Sequence, residues 1–193
     1  MANADTPFGL RPVRYVSGAP YSGAANLYST AAGDSQAIFI GDPVIISGTS
    51  QTINGRVYAD VDQAATGNVI QGVVVGVIPV TQDSTIYRAA STQRLLLVAD
   101  DPNLLFEIQE VSGGTALTTA AIGLNANFVV GSGSTVTGMS GVELNNSGEA
   151  DTNTLDVKLI GLVSREDNAV GEHAKWLVRI NRHRYVDQIA GVA

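Results

Sequence analysis

The stretch Leu95–Val111, LLLVADDPNLLFEIQEV, decides the fold. Two apolar runs flank Asp100-Asp101-Pro102-Asn103. Pro102 presets φ at the second position of a turn, and Asp and Asn side chains bond nearby backbone groups. Before the turn, Leu95-Leu96-Leu97-Val98 is a short continuous apolar run, the pattern of a strand buried on both faces. After it, Phe106 and Ile108 alternate with Glu107 and Gln109, the pattern of a strand wet on one side. A helix competes for the same residues: Asp101 as its cap, Pro102 at its first position, and Leu104, Leu105, Ile108 and Val111 at helical spacing. The run is short and Ser112-Gly113-Gly114 ends it, so the expectation is strand-turn-strand at the centre of a core.

Upstream, Gln71–Val80 (QGVVVGVIPV) is the most β-branched stretch and reads as a central strand, with Gly76 marking a bulge or a close backbone approach. Asn54-Gly55 is a tight-hairpin sequence joining Gln51–Ile53 to Arg56–Asp60. Val44-Ile45-Ile46 reads as a separate strand stopped by Ser47-Gly48, and Asn26–Ser29 as a short edge strand. Residues 1–20 contain Pro7, Pro12 and Pro20 with Gly9 and Gly18, which leaves no room for a useful helix. Phe8, Leu10, Val13, Tyr15 and Val16 are nevertheless too apolar for a solvated tail, so this extended arm packs on its own body or on a neighbour. Downstream, Ser112–Asn153 is Ser/Gly/Thr/Asn-rich and reads as ordered loops, with one helical turn near Thr118–Leu124. Leu155–Val163 and Lys175–Tyr185 are strands; in the latter Trp176, Val178 and Ile180 point one way and Lys175, Leu177, Arg179 and Asn181 the other. The body therefore runs over 21–185, followed by a tail over 186–193.

At 193 residues and 45% hydrophobic content the chain can bury one good core without requiring two domains. Low charge (15%) and 21 glycines suit an all-β chain with many loops. Cysteine is absent, which excludes disulfides and thiolate metal sites. The net charge of −7 is uneven: Tyr21–Val157 carries 3 basic and 13 acidic residues (−10), the first twenty residues sum to +1, and Lys158–Ala193 has 6 basic against 4 acidic (+2). An acidic middle disfavours sequence-independent nucleic-acid binding, while the basic ends either solvate exposed strand faces, the commoner case, or meet an acidic partner. No apolar run approaches the roughly 20 residues of a membrane helix. The N-terminus lacks the basic-then-apolar order of a secretory signal, so a protein made in the cytoplasm is expected.

No catalytic motif emerges. The histidines are His173 and His183, and no Gly-x-Ser-x-Gly elbow accompanies either. The pairs Asp60/Asp62 and Glu149/Asp151 lack a calcium-loop frame, and Asp100-Asp101 and Glu166-Asp167 serve turn geometry at least as well as a calcium ion. Gly131-Ser132-Gly133-Ser134 lacks the Gly-Lys-Ser/Thr of a phosphate loop. No catalytic residue, cofactor or metal ligand is assigned on this basis. Arg179, Arg182, His183 and Arg184 with Trp176 and Tyr185 superficially suit nucleic acid, and the acidic body argues instead for a protein-contacting or solvated strand face.

Several segments in order, Asp5-Thr6-Pro7-Phe8-Gly9-Leu10-Arg11-Pro12-Val13, Gly41-Asp42-Pro43-Val44, Asp101–Gln109 and Lys175–Asn181, resemble the head decoration, or cement, proteins of tailed bacteriophages. The resemblance implies a single β-barrel or jelly-roll-like body, commonly a homotrimer, that sits on the outside of the virion, binds between major capsid protein subunits and braces the shell against DNA pressure. It implies no enzyme activity and supplies no catalytic motif. On that basis Pro7, Phe8, Leu10, Arg11, Arg14, Tyr15, Trp176, Arg179, Arg182, Arg184 and Tyr185 are the expected capsid or subunit contacts. A carbohydrate-binding β-domain, with Tyr21 or Tyr28 as a sugar platform, is the alternative, and a hydrolase with scattered carboxylates a more distant one.

Overall fold

The computed structural model describes residues 3–186. The chain is all-β, as composition and pattern predict, and its strands divide among three sheets rather than forming one barrel over the body. Strands β2 (Asn26–Ser29), β3 (Pro43–Ile53), β4 (Arg56–Gln63), β5 (Gly72–Val77) and β6 (Leu95–Ala99) close a ring in the order β2-β4-β3-β5-β6. Strands β1 (Arg11–Tyr15), β7 (Leu104–Gln109), β8 (Asn125–Ala126), β11 (Val157–Leu162) and β12 (Lys175–Ile180) form an antiparallel sheet, β1-β7-β12-β11-β8. The short β9 (Phe128–Val129) and β10 (Glu143–Leu144) pair with each other. The only regular helix among the described residues is the 3₁₀ turn Thr119–Ala121, capped by the Thr118 hydroxyl. No helix there is long and apolar enough to cross a membrane.

Leu95–Val111 is strand-turn-strand, but the turn is a junction between sheets: β6 belongs to the barrel and β7 to the five-stranded sheet. Asp101 Oδ1 accepts the Asn103 N–H at 2.7 Å, the local bond that makes Asp a turn residue. The expected exposures are reversed. In β6 only Leu96 and Val98 point into the barrel, with Leu95 and Leu97 half-buried outside. In β7 every residue is buried, because β1 and β12 flank it, the main core covers one face, and charged and amide partners cover Glu107 and Gln109 on the other.

Asn54 (φ 51°) and Gly55 (φ 76°) make the tight hairpin between β3 and β4 that the sequence predicts. Ser47-Gly48 does not end a strand; a bulge between Ile46 and Ser50 absorbs it, so β3 is one long strand. Gly76 sits in a bulge against β6, as expected. Asn26–Ser29 is not an edge: it closes the ring between β6 and β4. Lys175–Tyr185 is strand only to Ile180, after which the chain crosses to the barrel through a bridge between His183 and Ile70.

Two cores result. Tyr28, Ile38, Val44, Val61, Val74, Leu96 and Val98 fill the barrel. A larger cluster under the sheet includes Leu10, Phe106, Ile108, Phe128, Leu144, Val157, Leu159, Trp176 and Val178. The arm packs on its own body: Leu10 is buried in that cluster, and β1 pairs with β7. To get there the arm crosses the Gly41-Asp42-Pro43 turn at a very close approach. The Leu10 N–H donates to the Gly41 carbonyl at 2.9 Å. A methyl on Gly9 would stand 2.4 Å from that carbonyl oxygen, and one on Gly41 would stand 2.3 Å from the Phe8 oxygen. Of the tail over 186–193, all but Val186 lies outside the described residues.

Asp42, under this crossing, is fully buried. Its Oδ2 accepts the Phe39 N–H at 2.8 Å and the Gln63 amide at 3.0 Å, while Oδ1 makes no bond, the nearby Ser140 hydroxyl included. Burial outweighs the donors from Phe39 and Gln63 and pushes the Asp42 carboxyl up to about 6. Between its ordinary value and about 6 the folded state holds a proton the unfolded state has released, so this group favours folding at low pH and disfavours it as pH rises. The difference amounts to about 3 kcal/mol at a conversion of ~1.4 kcal/mol per pH unit. Urea melts of wild type and Asp42→Asn from pH 4 to 8 are expected to show the wild type losing stability relative to the variant across pH 4–6. A pH-independent difference contradicts the assignment.

Candidate interaction face

The outer face of the five-stranded sheet gathers charges that are far apart in sequence. Phe106 and Ile108 of β7 point into the core, so Leu105, Glu107 and Gln109 point outward. Register then extends this face to the neighbours: Arg14 lies opposite Leu105, Leu105 opposite Arg179, and Arg179 opposite Lys158. Directly opposed residues share a face. The next row runs Arg11, Glu107, Leu177 and Gly161, and the bulge between Leu159 and Gly161 leaves Ile160 exposed.

Glu107 organises this surface. Its Oε2 accepts Arg11 Nη2 at 2.6 Å and its Oε1 faces Arg165 Nη2 at 2.7 Å, so one buried carboxylate holds a cation from the arm and one from the loop after β11. Arg11 also lies 4.7 Å above the Phe8 ring, a cation–π contact, and Arg165 Nε reaches Asp167 at 3.3 Å. Arg179 Nε donates to the Pro102 carbonyl at 2.8 Å, which fixes the side chain along the turn that opens β7.

At the Gln109 end the face is closed by the arm and the loop before β12. The Gln109 Nε2 donates to Asp5 Oδ1 and Glu143 Oε1, both at 3.0 Å, and lies 3.4 Å from His173 Nδ1; its Oε1 accepts the Thr6 N–H. Asn3 bonds the carbonyls of Ala169 and Glu172. Asp5, Glu143 and His173 bring three potential metal-ligand atoms within 4.8 Å of one another. The amide hydrogens of Gln109 already serve the two carboxylates, and burial followed by the Asp5 charge raises the Glu143 pKa. Sequence reading did not find this cluster, because its members come from the arm, β10 and a distant loop.

The expected contact residues separate into three groups. Arg11, Arg14 and Arg179 lie on the outer face, with Phe8 beneath Arg11 and exposed Pro7 leading into it. Leu10 and Trp176 are corrected: at 1% and 0% exposure they lie in the core and offer no surface, and the Trp176 indole donates to Glu110 Oε2 at 2.8 Å. Tyr15 is half-buried against the same core. Arg182, Arg184 and Tyr185 lie at the crossing to the barrel, where Arg182 Nη1 donates to the Thr154 carbonyl, the Arg184 N–H donates to Ile70 and Tyr185 is exposed. Alternation along Lys175–Asn181 correctly set Trp176 apart from Arg179, and read as a burial rule it excludes Trp176 as a contact.

Tyr28 points into the barrel; its hydroxyl donates to Asp100 Oδ2 at 2.6 Å and accepts the Gln71 amide, so it provides no sugar platform. Burial and the Asp100 carboxylate hold that phenol well above its ordinary pKa. His183 is also buried; its Nδ1 accepts the Tyr185 N–H, and burial lowers its pKa. Among the described residues no serine hydroxyl bonds to either histidine. Tyr21 lines an apolar groove of about 340 Å³ between arm and barrel, with Phe8, Pro12, Ile40, Val75 and Met139.

No family model matches the chain, and no curated protein or solved structure matches it.

Proposed function

We propose that this protein is a structural component of a tailed-phage virion that decorates the outside of the capsid, bound between major capsid protein subunits and assembled as a homotrimer. The observation that carries this reading is the convergence of the two basic sequence ends. Arg11 and Arg14 of the arm and Arg179 of β12 meet on one sheet face, although the chain as a whole carries −7. A binding surface is thereby supplied by an arm that is also a structural strand, so attachment and folding use the same residues. The buried polar groups are spent on holding loops: Arg88, fully buried, pairs with Asp34 at 2.8 Å and bonds the carbonyls of Ala31, Gln36 and Thr92. Asp60 likewise accepts Ser29, Thr49 and Gln51. Such pinning suits a rigid part that gains stability by assembly. The role proposed is that of a non-enzymatic part.

Sedimentation of undecorated heads with the purified protein tests it, together with the temperature at which filled heads release DNA. Saturable pelleting and a higher release temperature are expected, with a trimer mass in solution by light scattering. A chain lacking residues 1–15 is expected to pellet at least tenfold more weakly, through loss of two arginines and of the edge strand. Absence of pelleting by the full chain overturns the reading.

A further inference from the structure

We infer that the outer face of the β1-β7-β12-β11 sheet is a docking surface for an acidic protein surface, one that presents carboxylates around a small apolar centre; this rests on the reading of the protein as an assembly part. Arg11, Arg14, Lys158, Arg165, Lys175 and Arg179 contribute six cations to it, against Glu107 on the face, Asp101 and Asp167 at its margin and Asp5 and Glu143 at its Gln109 end, a balance of 6 − 5 = +1. The chain as a whole carries −7, so the remaining residues sum to −8. A carboxylate-bearing partner is therefore attracted to this side and repelled by the rest of the surface, which orients the encounter as well as strengthening it.

Between the cations lies a small apolar surface, exposed Ile160 and half-buried Leu177. An apolar centre with a charged rim is the anatomy of a protein interface. It is the wrong anatomy for a nucleic-acid strand. Bases stack on free aromatic rings, and the one ring here, Phe8, already lies under Arg11. The arrangement is also preorganised. Glu107 holds Arg11 and Arg165, and the Pro102 carbonyl holds Arg179, so less side-chain freedom is lost on binding. Arg14 has no salt bridge among the described residues, is exposed, and is the cation freest to meet an incoming carboxylate.

The test compares the full-length protein with the double variant Arg14→Glu/Lys158→Glu, whose side chains make no hydrogen bond or salt bridge among the described residues, and with Arg56→Glu on the barrel hairpin as a control. Each is titrated against undecorated heads, immobilised poly-L-glutamate and a short DNA duplex, at low and physiological salt. The double variant is expected to bind heads and poly-L-glutamate on the order of 10- to 100-fold more weakly at low salt, with a smaller difference at high salt, and the control to match wild type. Head binding that survives the double variant overturns this docking surface and leaves the decoration reading standing. Face-dependent binding of poly-L-glutamate without head binding does the reverse. Tighter binding to the duplex than to poly-L-glutamate makes the face a nucleic-acid surface and overturns the proposal.

Discussion

Replacing Trp176 with alanine is expected to cost about 3–5 kcal/mol, the range for deleting a large buried aromatic side chain. The site explains why the cost falls at the upper end. Trp176 is the largest fully buried side chain, and it lies opposite both Ile108 of β7 and Leu162 of β11, so the cavity opens in the middle of the main core. Its indole is also a donor to Glu110, whose other oxygen accepts the Leu117 N–H and anchors the loop before the 3₁₀ turn. For a chain of this size the melting temperature falls by roughly 10 °C. Trp176→Phe separates the two effects: it keeps much of the volume and strands the Glu110 oxygen, for about 1–3 kcal/mol. Burial raises the Glu110 pKa, and loss of the indole donor raises it further, so the phenylalanine variant should lose more stability at pH 8 than at pH 5. Equal losses at both pH values, by chemical denaturation, contradict this account of Glu110.

Gly41→Ala is expected to release the arm while leaving the barrel folded. Gly41 sits at φ 98°, a region that L side chains rarely adopt, and its methyl would meet the Phe8 carbonyl oxygen of the crossing arm at 2.3 Å. Gly9→Ala attacks the same contact from the other side, at φ 72° and 2.4 Å. Both backbones would have to move, and the weaker element is the arm, an edge strand held on one side by β7. If arm docking weakens by about 3 kcal/mol, the open population rises on the order of 100-fold, and proteolysis of a transiently open segment follows that population. Limited trypsin digestion should therefore cut after Arg14 on the order of 100-fold faster in either variant, with the body intact; Arg11 precedes Pro12 and is not a trypsin site. Unchanged cleavage means that the crossing does not hold the arm. Because Arg11 and Arg14 leave the face with the arm, the same variants should also lose head binding.

The fold was legible where a short segment determines its own geometry. Asn54-Gly55 demands positive φ at two successive residues and turned the hairpin as expected. Asp101-Pro102-Asn103 made a turn, and Gly76 marked a bulge. What could not be read was which sheet each strand joins. The turn at 100–103 looks the same whether it folds a hairpin or passes the chain from barrel to sheet. Exposure failed for the same reason: Glu107 and Gln109 look like the wet side of β7, and are buried because Arg11, Arg165, Asp5 and Thr6 come from far away to cover them. The basic ends were visible as composition, and their meeting on one face was not, since it depends on β1 and β12 both choosing β7. Trp176 and Leu10 looked like contacts because apolar residues near the chain ends suit either a core or a partner, and here the core claimed them.

Electron cryomicroscopy of heads decorated with the full-length protein tests the orientation of this face most directly. The expected density places Arg14, Lys158 and Arg179 against carboxylates of the shell, with Ile160 and Leu177 buried between them. Density in which that face is turned to solvent, with the barrel end seated on the shell, contradicts it.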